Sequence, residues 1–444
     1  MSLRFGTDGV RGLANLDLTP ELALALGRAA ARVLGPDTFV IGRDTRRSGP
    51  LLEGALAAGL ASEGSDVELL GVAPTPAVAH TAAMADRPGA VISASHNPFA
   101  DNGIKLFAKG GRKLPDEVEE QIEHQVIGLH QSGRPTGAGV GHIGAAATGV
   151  QAWIDTVTGS LEGRRLDGVS IVVDTANGAL SSFAGPILDS LGAQVRMLAD
   201  QPDGININDE VGSNHPERLA AEVVAQGADL GIAFDGDADR MVAVAGDGSV
   251  VDGDHIIALC ALDLRQRGQL VHDTVVVTVM TNLGFRLAMA EAGIEVISTG
   301  VGDRYVLEAL DNGGFSLGGE QSGHIIFRDL ATTGDGLLSA VQLLDLVVRS
   351  GQPLAALAAG AMTRLPQVLV NVAVAQRIPD VADQLAAEIG EVEVELGAQG
   401  RVLIRPSGTE PLIRVMVEAT DEATAQSATA RLVAAVETRF GQPS

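Results

Sequence analysis

A single cysteine, Cys260, stands among the 444 residues. No intrachain disulfide can form, and a reducing compartment fits. Positive charge is scarce as well: 31 Lys and Arg face 56 Asp and Glu, a formal net charge of −25. A nucleic-acid binder needs a basic footprint, and an anionic membrane repels such a chain, so neither is expected as a partner. No stretch approaches the roughly 18 uninterrupted apolar residues of a membrane-spanning helix. The opening MSLRFGTDGVRG lacks the basic and then apolar pattern of a secretory signal. The expectation is a soluble cytoplasmic protein. No G-x-x-x-x-G-K-[ST] sequence occurs, which leaves a nucleotide phosphate loop unsupported. Lysine is almost missing: Lys105, Lys109 and Lys113 are the only three, all in one nine-residue window. A bias toward Arg codons explains the scarcity but not the clustering. Lysine can shift its pKa and shuttle a proton, and arginine cannot.

What is present is an ordinary globular composition, 45% hydrophobic and 20% charged. At roughly 100–200 residues per domain, two to four domains are expected. An anionic substrate would require positive charge concentrated locally against the overall field.

Strand and helix patterns alternate over most of the length. Thr19 is a plausible N-cap with Pro20 behind it, opening a helix that stops at Gly35. Strands follow at 39–42, 67–71 and 90–93, with a helix over 50–62. The rhythm restarts with strands at 169–174, 194–198 and 230–234, helices over 182–192 and 216–227, and a hairpin at 241–253 turning on Asp247-Gly248. It restarts again with strands at 274–280, 294–299 and 315–319 and helices over 284–292 and 304–311. Such alternation argues for parallel α/β layers, and continuous apolar strands argue for sheets covered on both faces. The last ~80 residues read as a small α+β domain, with strands QVLVNVAV, RVLIR and LIRVMVEA and helices near 379–390 and 421–440. The boundaries expected are 1–148, 149–252, 253–363 and 364–444. The fold class is three similar α/β domains with mixed sheets plus a smaller C-terminal α+β domain.

Four loops follow predicted strands, the place where open α/β sheets bind ligands. SASHNP (93–98) puts Ser95 and His96 at a strand end, and the segment continues through DNGIKLF, which carries Lys105. A serine there can equally be a helix N-cap. FDGDADR (234–240) sets Asp235, Asp237 and Asp239 two apart. Three such carboxylates repel one another unless a cation is present, and hard divalent cations prefer oxygen ligands. An EF-hand loop does not fit, because Arg240 stands where its glycine belongs and Gly246 where its bidentate glutamate belongs. In GGEQSGHIIF (318–327), Glu320, Ser322 and His324 alternate, so an extended loop would line one wall with them. RPSGTEPLIRV (405–415) gathers Arg405, Ser407, Gly408, Thr409 and Arg414. Bidentate guanidinium plus backbone donors is the inventory of a phosphate site. FGTDGVRG (5–12), with Arg11, and TGVGDRY (299–305), with Gly300, Gly302, Asp303 and Arg304, are supporting Gly-rich loops.

Taken together, FGTDGVRG, SASHNP, NGIK, DGDADR, TGVGDR, GGEQSGH and RPSGTEP, in this order and spacing, resemble the α-D-phosphohexomutase superfamily, most closely its bacterial phosphoglucosamine mutase branch. The resemblance covers essentially the whole chain. It implies a heart-shaped, four-domain isomerase interconverting glucosamine 6-phosphate and glucosamine 1-phosphate through a 1,6-bisphosphate, in the supply of amino-sugar and cell-wall precursors. It implies a covalent phosphate on Ser95 and one Mg²⁺ per active site, held by Asp235, Asp237, Asp239 and the phosphoserine. Arg240 and His96 would contact that phosphate. Glu320, Ser322, Gly302 and Asp303 would hold the sugar, and Arg405, Ser407, Gly408, Thr409 and Arg414 the other phosphate. Lys105 is the first candidate for moving the proton, His324 the second, and Arg11 could assist electrostatically. The partner is a phosphosugar, and a homodimer is compatible with the reading. The alternatives are a sister mutase acting on glucose or mannose phosphates, an aspartyl-phosphate phosphatase using Asp235 as nucleophile, and a non-catalytic sugar-phosphate sensor.

Overall fold

In the computed structural model, which describes residues 5–6, 9–128, 133–407 and 411–441, helices begin where the sequence supplies caps. Thr19 Oγ1 accepts the Leu22 N–H at 3.2 Å, and the helix Pro20–Leu34 follows. Asp252, Asn282, Asp335 and Asp421 open Gly253–Gln266, Leu283–Glu291, Gly336–Ser350 and Glu422–Phe440 in the same way. Each cap satisfies an N–H that the first turn leaves open, worth about 1 kcal/mol. Among the described residues no helix is long and apolar enough to cross a membrane.

The chain divides into two units, residues 1–279 with 294–361, and residues 280–293 with 362–444. The first unit holds three mixed sheets. In the first, Val67–Val72, Phe39–Arg43 and Gly89–Ile92 run parallel, Ile143–Ala145 extends one edge, and Asp101–Ala108 and Val10–Leu13 add antiparallel strands beyond Gly89–Ile92. In the second, Gln194–Leu198, Ser170–Asp174 and Leu230–Phe234 are parallel and Met241–Ala245 is antiparallel. In the third, Glu295–Thr299, Thr274–Thr278 and Leu317–Gly319 are parallel and Ile325–Phe327 is antiparallel. The sheets are mixed, as expected: parallel strands follow the strand–helix rhythm, and each sheet is closed by an antiparallel return strand.

These return strands place the site. Ile92 pairs with Ile104, Phe234 with Met241, and Gly319 with Ile325. The loops 93–100, 235–240 and 320–324 are thus equivalent connections in three successive sheets. The segment 101–108, expected as a loop continuing from SASHNP, is an eight-residue strand, so Lys105 stands on a sheet and not on a flexible loop. Helices pack closely over the first sheet because small residues face each other. A Cβ at Gly27 would come within 2.3 Å of the Leu56 carbonyl, and one at Gly59 within 2.2 Å of the Leu24 carbonyl.

The second unit has a three-stranded antiparallel sheet, with Leu412–Glu418 between Gln367–Ala373 and Arg401–Pro406. Its core gathers Val372, Ile404, Ile413, Val415 and Leu432. The helix Leu283–Glu291 belongs to this unit. Asn282 Oδ1 accepts the Leu365 N–H at 2.9 Å, and Glu418 Oε2 accepts the Leu283 N–H at 2.9 Å. The single helix expected near 379–390 is two, Val381–Gln384 and Ala386–Leu396.

Candidate active site

Ser95 emerges where Gly89–Ile92 ends, and its residue is fully buried. Its hydroxyl donates to Asp235 Oδ2 at 2.6 Å, so the strand-end serine meets the acidic loop of the next sheet. His96 Nδ1 lies 3.3 Å from Ser95 Oγ and accepts from Arg240 Nη1 at 3.2 Å. Burial and the guanidinium groups of Arg240 and Arg11 push His96 down to about 4, so its ring is neutral at pH 7. Arg11 stands on Val10–Leu13, opposite Gly103 of the Lys105 strand.

Asp235, Asp237 and Asp239 are all buried, and each offers a carboxylate oxygen within 4.8 Å of the others. Asp237 Oδ1 and Asp239 Oδ1 are buried and find no hydrogen-bond donor among the described residues. Burial, and then the neighbouring Asp239 and Asp237 carboxylates, push Asp235 well above its ordinary range. Asp239 goes the other way: the Lys105 ammonium, His324 and Arg240 overcome burial and hold it well below that range. Lys105 Nζ bridges Asp237 Oδ2 at 2.8 Å and Asp239 Oδ2 at 3.2 Å. An all-oxygen, triply acidic, partly unsatisfied set fits a hard divalent cation. Thr75 Oγ1 steadies the loop by donating to Asp237 Oδ2 at 2.7 Å.

The 320–324 segment is a tight turn and not an extended wall. Gly323 N–H donates to the Glu320 carbonyl at 3.0 Å, with Gly323 at φ 89°. The three alternating side chains consequently part company: Ser322 is exposed, Glu320 half-buried and His324 buried. Glu320 Oε1 accepts the Gly302 N–H at 3.2 Å, which ties this turn to the TGVGDR loop. Asp303 Oδ2 lies 2.7 Å from Lys113 Nζ and 3.3 Å from His324 Nε2. The carboxylates of Asp303 and Asp239 pull His324 toward its cation against burial. However, Nε2 also accepts the Gly334 N–H at 2.9 Å. That backbone donor cannot turn away, so the geometry supports the neutral ring with its proton on Nδ1, 3.8 Å from Asp239 Oδ1.

In the second unit, Arg405 and Arg414 stand directly opposite one another on adjacent strands. Burial and the Arg414 charge lower the Arg405 pKa. Arg414 Nε is buried without a hydrogen-bond partner among the described residues. Ser407 is buried and its N–H donates to the Leu412 carbonyl at 2.9 Å. Gly408 and Thr409, expected in this phosphate loop, lie outside the described residues. Like charges face to face across a strand pair cost stability unless an anion lies between them.

Sequence reading missed Asp44 and Arg46, both fully buried. Arg46 Nε donates to Asp44 Oδ2 at 2.8 Å, and Asp44 Oδ2 accepts from Ser93 Oγ at 2.6 Å. The available signal was positional: GRDTRRSG follows the strand at 39–42 just as the four chosen loops follow theirs. Asn208 was missed as well, although its side chain reaches the Ser95 loop.

Comparison with known proteins places the whole chain among sugar-phosphate mutases. Family models described as phosphoglucomutase/phosphomannomutase match in series: α/β/α domain I at residues 2–131, domain II at 151–248, domain III at 252–365 and the C-terminal domain at 369–435. A phosphoglucosamine mutase of Frankia casuarinae is 54% identical over 98% of this chain and 98% of its own. One from Saccharopolyspora erythraea is 54% identical over 97% and 98%. Among solved structures, a phosphoglucomutase/phosphomannomutase family protein from Burkholderia thailandensis matches with a TM-score of 0.80 and 26% identity over 97% of both chains. The N-acetylphosphoglucosamine mutase of Aspergillus fumigatus, solved with GlcNAc-6P and magnesium, shares the fold with a TM-score of 0.69 at 18% identity, over 99% of this chain and 96% of that one.

Proposed function

The chain belongs to the phosphoglucomutase/phosphomannomutase family, and we propose that it interconverts glucosamine 6-phosphate and glucosamine 1-phosphate with Ser95 as the phosphoryl carrier. It is an isomerase of the intramolecular phosphotransferase class. The observation that carries the reading of the site is the 2.6 Å bond from Ser95 Oγ to Asp235, which joins a buried strand-end alcohol to a buried acidic triad.

Ser95 Oγ gives its phosphoryl group to one hydroxyl of the sugar and takes back the phosphoryl group from the other, through a 1,6-bisphosphate that reorients between the two transfers. In each transfer one P–O bond breaks as another forms in line with it, and charge gathers on the equatorial oxygens. A Mg²⁺ ion held by Asp235, Asp237, Asp239 and the Ser95 phosphate would neutralise that charge. Arg240, through its guanidinium beside His96, adds a fixed positive group, and neutral His96 offers a hydrogen bond without charge. Lys105, an ammonium between Asp237 and Asp239, gives a proton to Ser95 Oγ as the serine leaves and regains one from the attacking sugar hydroxyl, so that no net charge is left on either oxygen. His324, its Nε2 engaged by the Gly334 N–H, leaves the proton transfer to Lys105. Glu320, Ser322, Gly302 and Asp303 hold the sugar hydroxyls, with Lys113 keeping Asp303 in place. Arg405, Ser407, Gly408, Thr409 and Arg414 bind whichever phosphate is not reacting. A site that recognises phosphate and not a particular carbon accepts either end of the bisphosphate, which the half-turn requires.

The amino sugar is favoured over glucose by the name shared by the relatives that are 54% identical over nearly the full length. The test has two parts. Intact mass with peptide mapping of the protein as isolated is expected to find phosphate on Ser95; phosphate on Asp235 would instead support a phosphatase. Turnover of glucosamine 6-phosphate is expected to exceed that of glucose 6-phosphate, and the reverse order would assign the chain to a sister mutase.

A further inference from the structure

Ser95 is held in an uncommon backbone state. Its φ of 53° lies in the left-handed region, disfavoured for a residue with a Cβ. Such states persist where the surroundings over-determine them, and they cluster at functional sites. Both poles of the residue are tied to one buried ion pair. Ser95 N–H donates to Ser93 Oγ at 2.9 Å, Ser93 Oγ to Asp44 Oδ2 at 2.6 Å, and Arg46 Nε to the same Asp44 oxygen at 2.8 Å. Arg46 Nη2 then closes the circuit on the Ser95 carbonyl at 3.0 Å. The remaining guanidinium hydrogens go to the carbonyls of Asn97 at 2.8 Å, Asp101 at 3.0 Å and Pro98.

A second donor arrives from a turn between the strand Gln194–Leu198 and the helix Glu217–Gln226. Asn208 Nδ2 donates to the Ser95 carbonyl at 2.8 Å and to the Asn97 carbonyl at 3.0 Å. Asn208 is itself left-handed, at φ 57°, and its own backbone N–H is anchored on the Ala176 carbonyl at 3.0 Å. Its backbone bond keeps its own loop in place, and its side-chain amide serves the serine loop. The acidic loop presses on the same spot, since a Cβ on Gly236 would lie 2.7 Å from the Ser95 carbonyl oxygen.

We infer that Asn208 is a positioning residue for phosphoryl transfer: with Arg46 and Asp44 it fixes the Ser95 carbonyl and so the aim of Ser95 Oγ at the acidic triad. This rests on the reading of Ser95 as carrier. Oγ must return to the same line of attack after the sugar has turned over, and a misplacement of ~1 Å costs about 10²-fold in rate. A carbonyl held by two donors from two separate loops cannot rotate between transfers, and the triad's loop is held against it.

Arg46→Ala would strand the Asp44 charge in the interior and risks unfolding the protein, so Asn208 is the position to test. Asn208→Asp keeps the size and shape, replaces the donor by an acceptor and sets it against two carbonyls. Asn208→Ala removes the donor alone and serves if the aspartate variant does not fold. With full-length enzyme, Mg²⁺ and glucosamine 6-phosphate, kcat is expected to fall about 10- to 100-fold in both directions. KM for the sugar phosphate should stay within about twofold, since the substrate contacts are untouched. Amide hydrogen exchange should quicken in 93–101 and not elsewhere in the first sheet. A variant with parental kcat, or one losing kcat and substrate affinity together, overturns the inference. Ser95→Ala is measured alongside. If it is inactive while Asn208→Asp behaves as the parent, only the positioning role fails; if it is active, the carrier reading itself fails.

Discussion

Replacing Lys105 by arginine separates charge from proton supply. Lys105 Nζ lies 2.8 Å from Asp237 and 3.2 Å from Asp239, in a residue that is 2% exposed. Each such pair is of order 4 kcal/mol at ~4 Å and an effective dielectric of ~20. Arginine keeps the charge, so the electrostatic support of the acidic loop survives. It cannot release a proton near neutral pH. If Lys105 relays the proton between sugar hydroxyl and Ser95 Oγ, kcat drops by about 10²–10⁴, or ~3–5 kcal/mol of barrier. The larger guanidinium overpacks a buried site at a cost of ~1–3 kcal/mol in stability. That cost lowers Tm but leaves kcat of the folded fraction alone. The assay is the initial rate in both directions at saturating sugar phosphate and Mg²⁺, corrected for phosphoserine content, with Lys105→Met beside it. The expected result is a comparable loss of kcat in both variants with KM changed less than about threefold. An arginine enzyme running within about fivefold of the parent, or one whose substrate affinity falls as far as its kcat, refutes the proton role.

Arg414→Gln removes a charge-assisted phosphate contact of about 1.5–3 kcal/mol, so KM for glucosamine 6-phosphate should rise roughly 10- to 150-fold. It also relieves the repulsion with the facing Arg405, so the ligand-free variant should melt no lower than the parent; a lower melt combined with an unchanged KM refutes the assignment. Asp335 gives a pH test of stability. Burial raises it to about 6, against hydrogen bonds from Leu338 N–H at 2.9 Å and Trp153 Nε1 at 2.7 Å. The folded state therefore holds its proton longer than the unfolded chain, whose ordinary carboxyl titrates near 4. Stability from this group is full below about pH 4 and falls by up to ~3 kcal/mol as pH rises through about 6. Denaturant titrations of Asp335→Asn should lack that fall, and a parallel pH profile in both proteins would contradict it.

The parts of the fold that could be read were those where one physical rule dominates. Apolar runs ending in polar loops marked the parallel strands, and Thr19-Pro20 marked a helix start because a missing N–H and a side-chain acceptor suit the first turn. The strand Asp101–Ala108 was hidden by function. Asn102 and Lys105 occupy buried positions in it, which breaks the apolar pattern by which strands are recognised, and their partners come from Ser48 and from the acidic loop. The turn at 320–324 was misread because alternation of Glu320, Ser322 and His324 means a shared face only in extended chain, and Gly323 at φ 89° bends it back. Asp44 and Arg46 carried only the positional signal of a strand-end loop, and their residue types argued against burial, since charged residues are rarely fully buried. Their burial depends on carbonyls some fifty residues downstream that accept the guanidinium hydrogens. The site residues legible in sequence were those whose repetition has no structural use, the three aspartates above all.

The acidic balance of the chain and its handling of phosphate are reconciled by where like charges are forced together. In the first unit three carboxylates converge in the interior, and Asp235 resists ionisation, through burial first and then through its two acidic neighbours. In the second unit two guanidinium groups face each other across a strand pair, and burial together with the Arg414 charge lowers the Arg405 pKa. Neither arrangement serves folding, since each raises the energy of the ligand-free state. On the proposed reading a ligand of opposite sign, a cation in one and a phosphate in the other, would relieve each, and the strain built into the folded chain would return as binding energy. An overall excess of acid is then no obstacle to an anionic substrate, because the field that matters is set within a few ångströms by groups whose neighbours have been desolvated. The proposed reaction would need both signs: a divalent charge where phosphorus is transferred, and a neutralising grip where it is merely held.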